Sequence, residues 1–202
     1  MIQNIDKFIF VGTIASQKGD LMKKLNWGFS LFLMVGMLGI GQSLMAGLPP
    51  LTTVANFDLN RYLGKWYEIG SIRQSFTRGC DGTTATYTLR PDGNIDVFNQ
   101  CRGDWPTGNI RGIHGKARVP NRAEPAKLEV QFFWPFSGAY WVIELGQNYE
   151  YAVVGHPNRE YLWILSRQPY MDEVLYRDIL GRLEAKGYDI SLIEKTLQGG
   201  QD

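Results

Sequence analysis

The chain has 202 residues, room for one ordinary domain and an extension, and its 21 Lys and Arg balance 20 Asp and Glu. Near-neutrality leaves no basic field of the kind that neutralises the phosphates of DNA or RNA, so nucleic acid is not an expected partner. Two histidines leave little scope for a metal site, and no cofactor motif is present, whereas 13% aromatic residues suit a β-rich chain with a large apolar interior.

Residues 25–40 form an apolar run directly after Lys23 and Lys24, the plan of an export signal. The run falls short of the roughly 20 residues that span a bilayer and is interrupted by Gly28, Gly36 and Gly39. It leads to the small residues Ser43, Ala46 and Gly47, so cleavage is expected near Ala46. Residues 1–21 precede the basic pair, and Met22 is therefore read as the natural start; a retained membrane anchor is the alternative. No cysteine follows the run directly, which argues against a diacylglyceryl-cysteine anchor. The expected organisation is an extension and signal over 1–46, a linker over 47–55, one domain over 56–197 and a tail over 198–202. Its two cysteines are Cys80 and Cys101. An exported chain meets oxidising conditions, so a disulfide is expected, with two unpaired thiols as the alternative.

Beyond Pro49 and Pro50, short apolar and β-branched runs alternate with turn residues, the spacing of an antiparallel all-β domain. Eight strands are predicted, over 65–72, 83–89, 94–101, 110–119, 127–133, 139–145, 149–155 and 161–166. Pro91-Asp92-Gly93, Gly146-Gln147-Asn148 and His156-Pro157-Asn158 supply hairpin turns. After Pro169 the period changes. Met171, Leu175, Ile179 and Leu183 recur every four residues, with Asp172 and Glu173 in the first turn and Gly187 after Lys186, which predicts one amphipathic helix. A last extended piece over 190–197 is expected to pair with an exposed sheet edge.

Strands such as Leu128–Val130–Phe132, interleaved with Glu129 and Gln131, have one dry and one wet face. Eight sequential antiparallel strands left open would expose two edges, and closure into an up-and-down barrel removes both. A barrel of eight strands has an interior large enough for one small ligand. The helix then packs on the outside.

Asn56-Phe57-Asp58 leading into Tyr62-Leu63-Gly64-Lys65-Trp66-Tyr67-Glu68-Ile69, and later Tyr161-Leu162-Trp163-Ile164-Leu165-Ser166-Arg167, carry a family resemblance. Thr84 to Tyr87, Gly115 to Ala117, Phe132 to Phe136 and Tyr151 to Val154 fall between them in the right order. On these segments the chain resembles the lipocalin family, in its bacterial lipocalin and apolipoprotein D branch, over about residues 56–197. Trp66 opens the first strand and Arg167 ends the eighth, which closure makes neighbours, so the guanidinium is expected to cover the indole and, with Gly64, to close that end of the barrel. The resemblance implies the same pairing. Chain direction puts Cys80 and Cys101 at the opposite, open end. Phe76, Trp105, Trp134 and Phe136 fall in loops there, either packed on one another or forming an apolar rim that meets an acyl chain or a membrane.

Alternation and the resemblance together choose the inward face. On the first strand these are Trp66 and Glu68, a buried acid expected to bond to Tyr or Arg groups at the closed end. The residues expected to touch a ligand are Tyr87 and Leu89 on the second strand, Val97 and Asn99 on the third, and Ile113 and Ala117 on the fourth. Val130 and Phe132 follow on the fifth, Ala152 and Val154 on the seventh, and Trp163 and Leu165 on the eighth. Strand six is ambiguous, because both Trp141 and Val142 can be counted inward, and Trp141 is taken as its ligand residue. Asn99 and His156 are placed nearer the mouth, where a polar head group would sit.

The function expected is storage or transport of a hydrophobic small molecule, such as a fatty acid or lysophospholipid, by an exported protein. For bacterial members the resemblance implies a periplasmic or outer-membrane setting, in envelope maintenance under stress; otherwise the protein is expected to be secreted. Peripheral membrane contact and a homodimer are both allowed. No catalytic residue is assigned, since no nucleophile elbow, phosphate loop or metal-spaced cluster occurs in the sequence. The alternatives are an interaction protein with a filled interior and a lipocalin-type isomerase.

Overall fold

A computed structural model of the chain describes residues 48–74, 79–104 and 106–199. The predicted signal segment, Phe76 and Trp105 lie outside the described residues.

The strands are β1 (Gly64–Ile72), β2 (Cys80–Leu89), β3 (Ile95–Gly103), β4 (Ile110–Arg118), β5 (Lys127–Phe133), β6 (Phe136–Leu145), β7 (Tyr151–Gly155) and β8 (Leu162–Ser166). Each pairs antiparallel with its sequence neighbour, and β1 also pairs with β8, from Tyr67↔Ser166 to Ser71↔Trp163. The circle is thereby closed into an eight-stranded barrel. Gly64 begins β1 at φ +94, a backbone conformation that a side chain strains, and a Cβ there would stand 3.4 Å from an Arg167 guanidinium nitrogen.

Two apolar clusters divide the molecule. Inside the barrel lie Trp66, Tyr87, Ile95, Val97, Ala117, Leu128, Val130, Val142, Ala152, Val154 and Leu165. Outside it, Ile69, Ile143, Val153, Leu162 and Ile164 meet Tyr176, Ile179 and Leu183 of the helix α2 (Glu173–Ala185). Strands β7 and β8 are therefore apolar on both faces, which explains their nearly continuous hydrophobic runs. Asp172 caps α2, its carboxylate accepting from the backbone N–H groups of Val174 and Leu175 at 2.9 and 3.0 Å. Ile179 and Leu183 are fully buried, each contributing about 2 kcal/mol. Tyr176 takes the buried place expected for Leu175, which is only partly covered.

A four-residue helix, α1 (Leu59–Tyr62), precedes β1 and was not expected. Asp58 initiates it by accepting from the N–H of Asn60 at 2.9 Å, and Phe57, Leu59 and Tyr62 turn into the interior cluster to stop one end of the barrel. At the other end β1 and β2 part company beyond Tyr67↔Thr84. The C-terminal segment fills the split. Its strand β9 (Ile193–Lys195) pairs with Gly70 to Ile72, the N–H of Gly82 donates to Leu197, and the Gln198 side chain donates to both Glu68 and Thr83 carbonyls.

Candidate functional site

At the closed end, Trp66 is inaccessible to solvent and lies under the Arg167 guanidinium, 3.7 Å from the ring centroid. The indole N–H donates to the Tyr62 carbonyl at 2.8 Å. Arg167 in turn donates to the backbone carbonyls of Arg61, Tyr62 and Lys65 at 2.8–3.1 Å, tying α1 and β1 to the end of β8. Replacing Arg167 with Ala should cost about 2 kcal/mol in urea unfolding, since it removes the cation–π contact and the guanidinium hydrogen bonds to three carbonyls, of which Tyr62 keeps the indole N–H. Interior ligand affinity should stay unchanged in that variant.

The interior has a packed lower part and a more open upper part. Val97, Ala117, Ala152, Val154 and Leu165, all expected to touch ligand, are buried among one another, and Tyr87 and Val130 complete that layer. Above them Asn99, Ile113, Phe132 and Trp163 remain partly exposed. Register puts Ile95↔Ala117, Val97↔Gly115 and Asn99↔Ile113 on one face, so Asn99 and Ile113 continue the inner wall. The Phe132 ring lies across Gly115, where an added Cβ would come within 2.7 Å of it. Strand β4 pairs with β5 only over Lys116 to Arg118, and the upper half of that wall is more exposed than the lower.

Two expected lining residues stand elsewhere. Trp141 faces outward and packs with the helix-side cluster, with the Lys127 ammonium 4.7 Å from its ring. The reason is a bulge between Val142 and Glu144: counting back from inward Leu145 by twos gives Ile143 and Trp141, whereas the extra residue shifts the inner positions to Val142 and Tyr140. Leu89 is 45% exposed, because it ends β2 beside the Arg90–Asn94 turn, where the strands run out at the closed rim.

Tyr140 is the lining residue the sequence reading missed, although it stands two positions before Val142. Its hydroxyl lies 2.6 Å from that of Tyr62 and 2.7 Å from that of Tyr87. Burial pushes the Tyr87 hydroxyl up to about 12 and those of Tyr62 and Tyr140 well above the ordinary value, so all three keep their protons at neutral pH.

Glu68 is buried, but its partners are not at the closed end. Ser71 and Thr196 hydroxyls donate to it at 2.9 and 2.5 Å, so it latches the C-terminal segment to the split between β1 and β2. Burial raises its pKa above the ordinary carboxyl value. The folded state then holds a proton at pH values where the unfolded chain has lost it. Stability from this group is present in acid and declines as pH rises through the raised folded pKa. Glu68→Gln, which still accepts from both hydroxyls, should flatten that decline and be more stable than wild type at neutral pH, as urea midpoints from about pH 4 to pH 8 would show.

At the open end Cys80 and Cys101 form a disulfide. The β5–β6 hairpin carries Phe133, Trp134 and Phe136 to its tip, with Trp134 87% exposed. Trp134 and Phe136 are thus an outward rim, not a packed loop core. His156 belongs to a turn, its Nδ1 2.6 Å from the Asn158 side chain. Asn99 Oδ1 is buried with no hydrogen-bond partner among the described residues. A cleft of about 440 Å3 near the closed end is lined by Leu59, Arg118, Val119 and Arg122, among others, and contains none of the expected ligand residues.

The model of the lipocalin-like domain matches residues 57–198, most of the chain. The chain belongs to the lipocalin family. This lipocalin is 42% identical over 149 residues to the outer membrane lipoprotein Blc of Escherichia coli K12, covering 71% of the chain and 81% of that protein. It is 39% identical over 158 residues to temperature-induced lipocalin-1 of Arabidopsis thaliana, covering 73% and 83%. With apolipoprotein D of Bos taurus it shares 41% over 163 residues, again 73% and 83%. Among solved structures, insecticyanin from the tobacco hornworm Manduca sexta superposes with a TM-score of 0.58 at 20% identity, over 74% of this chain and 85% of that one. Lobster apocrustacyanin A1 gives 0.56 at 19%, over 70% and 79%. Those two likenesses show the barrel fold alone.

Proposed function

We propose that this lipocalin stores or transports a hydrophobic small molecule of the fatty acid or lysophospholipid class in its barrel, and that it catalyses no reaction. The supporting observation is the partly exposed apolar wall of Ile113, Phe132 and Trp163 above a packed interior, inside a barrel stopped at one end by Trp66 and Arg167. The names of the bacterial and apolipoprotein relatives favour an exported carrier, as does the apolar run after Lys23 and Lys24. The mature protein is exported, to the periplasm or outer membrane in a bacterium and otherwise secreted, with the exposed apolar Trp134 and Phe136 rim turned toward lipid.

Delipidated protein titrated with a fatty acid or lysophospholipid series should show a saturable change in Trp fluorescence, lost from the signal when Trp163 is replaced by Phe. Each added methylene contributes at most roughly 0.8 kcal/mol, so affinity should climb with chain length until the cavity is full. Ile113→Trp, at a partly exposed wall position, should weaken binding more than about tenfold without lowering the unfolding midpoint. Val154 is fully buried and unsuited to such a test, since Trp there would overpack the lower layer. No saturable response to any acyl ligand would overturn the carrier reading in favour of an interaction protein.

A further inference from the structure

The three tyrosine hydroxyls inside the barrel have two contacts among them, and no further hydrogen-bond partner for them occurs among the described residues. Each contact uses one proton, so one O–H is left over. A buried donor without an acceptor is costly, and all three hydroxyls are buried, but Tyr62 and Tyr87 are 1% and 5% exposed as whole residues whereas Tyr140 keeps some surface. Tyr140 touches both of the others, so the favoured arrangement has Tyr62 and Tyr87 donating to its oxygen and leaves the free proton on the least covered residue of the three, in the layer of Leu128. Two incoming hydrogen bonds also polarise the Tyr140 O–H and make it the stronger donor.

We propose that the Tyr140 hydroxyl, held by Tyr62 and Tyr87, is a hydrogen-bond donor at the floor of the cavity that takes a neutral oxygen at the leading end of an apolar ligand. A carbonyl or an un-ionised carboxylic acid fits this site. An ionised carboxylate does not, because the ionisable side chain on the inner face of β1 is itself an acid, Glu68, and the guanidinium that acts on it, Arg73, is already paired with Asp81 at 2.8 Å and Glu194 at 3.1 Å. Arg111 shares the inner face of β4 but stands opposite Cys101, at the mouth, and Arg167 is engaged with backbone carbonyls at the closed end. This inference rests on the carrier reading and adds an orientation to it for ligands that end in a neutral oxygen: that end goes down, whereas a charged head group stays toward the mouth.

Dodecan-2-one and dodecan-6-one separate the two ideas, since they have the same composition and apolar area and differ in where the carbonyl sits. Titrated into delipidated wild-type protein by Trp fluorescence, the terminal ketone should bind about fivefold tighter. Its carbonyl stretch, read by infrared with a carbon-13 label, should lie at lower wavenumber than in alkane. In Tyr140→Phe both effects should vanish while both ketones still bind. Equal affinities with an alkane-like carbonyl band in wild type would overturn the proposal, as would a preference that survives in Tyr140→Phe. If neither ketone binds saturably while a fatty acid does, this proposal alone is overturned; if no fatty acid or lysophospholipid binds either, the carrier reading itself fails. Should Tyr140→Phe not fold, Tyr87→Phe retains the Tyr62–Tyr140 contact and should move the band part of the way back; a band left at its wild-type position would exclude the supported donor.

Discussion

Replacing Trp66 with Ala should cost about 4 kcal/mol and produce the largest loss of stability of any single substitution considered for this protein. The indole is fully buried and sits between two partners, with the Arg167 guanidinium at 3.7 Å and the Tyr62 ring at 5.0 Å between centroids. Truncation removes that contact area and leaves a cavity at the stoppered end. It also frees the Tyr62 carbonyl from the indole N–H and leaves Arg167 over an empty space. Urea unfolding followed by far-ultraviolet circular dichroism measures the loss. Trp66→Phe should recover most of the apolar burial but not the hydrogen bond, and so should fall between the two. A Trp66→Ala protein within about 1 kcal/mol of wild type would show that the stopper contributes little to the fold.

Opening the disulfide should have the second largest effect. The bridge joins Cys80, the first residue of β2, to Cys101 near the end of β3, across a sequence separation of 21. Releasing a loop of that size costs about 3 kcal/mol in the chain-entropy account. The Cys80→Ser/Cys101→Ser double variant should lose roughly that amount. Hydrogen exchange should rise first in the upper halves of β2 and β3, while amides around Trp66 and Leu165 stay protected, because the bridge braces the mouth and the stopper lies at the other end. Uniform loss of protection would place the bridge among the contacts that hold the whole barrel.

The contrast between strands β5 and β6 shows what can be read without a structure. Leu128, Val130 and Phe132 keep a period of two that assigns them inward, and all three pack in or against the interior cluster, because the irregularity of β5 falls only after Val130, toward the hairpin tip. In β6 the alternation is broken by one extra residue between Val142 and Glu144, and no feature of the local composition marks the slip. Trp141 and Tyr140 consequently exchange faces relative to a naive count. Leu89 continues the alternation of β2 but lies where the barrel has ended, because period gives a face and not a depth.

Local rules thus determined much of this protein from its sequence: eight strands, their turns, one amphipathic helix and the closure contact of Trp66 with Arg167. These follow from side-chain periodicity, turn chemistry and the up-and-down order of the strands, all of which act over a few residues or follow from chain direction. The tertiary structure alone decided the tyrosine floor and the place of Glu68. Tyr62, Tyr87 and Tyr140 are separated by up to 78 positions, and Glu68 and Thr196 by 128, so their contacts depend on the register at which β1 closes against β2, β8 and the C-terminal segment. A single bulge changes that register and turns every later side chain to the other face, and only packing in three dimensions settles where the bulge falls.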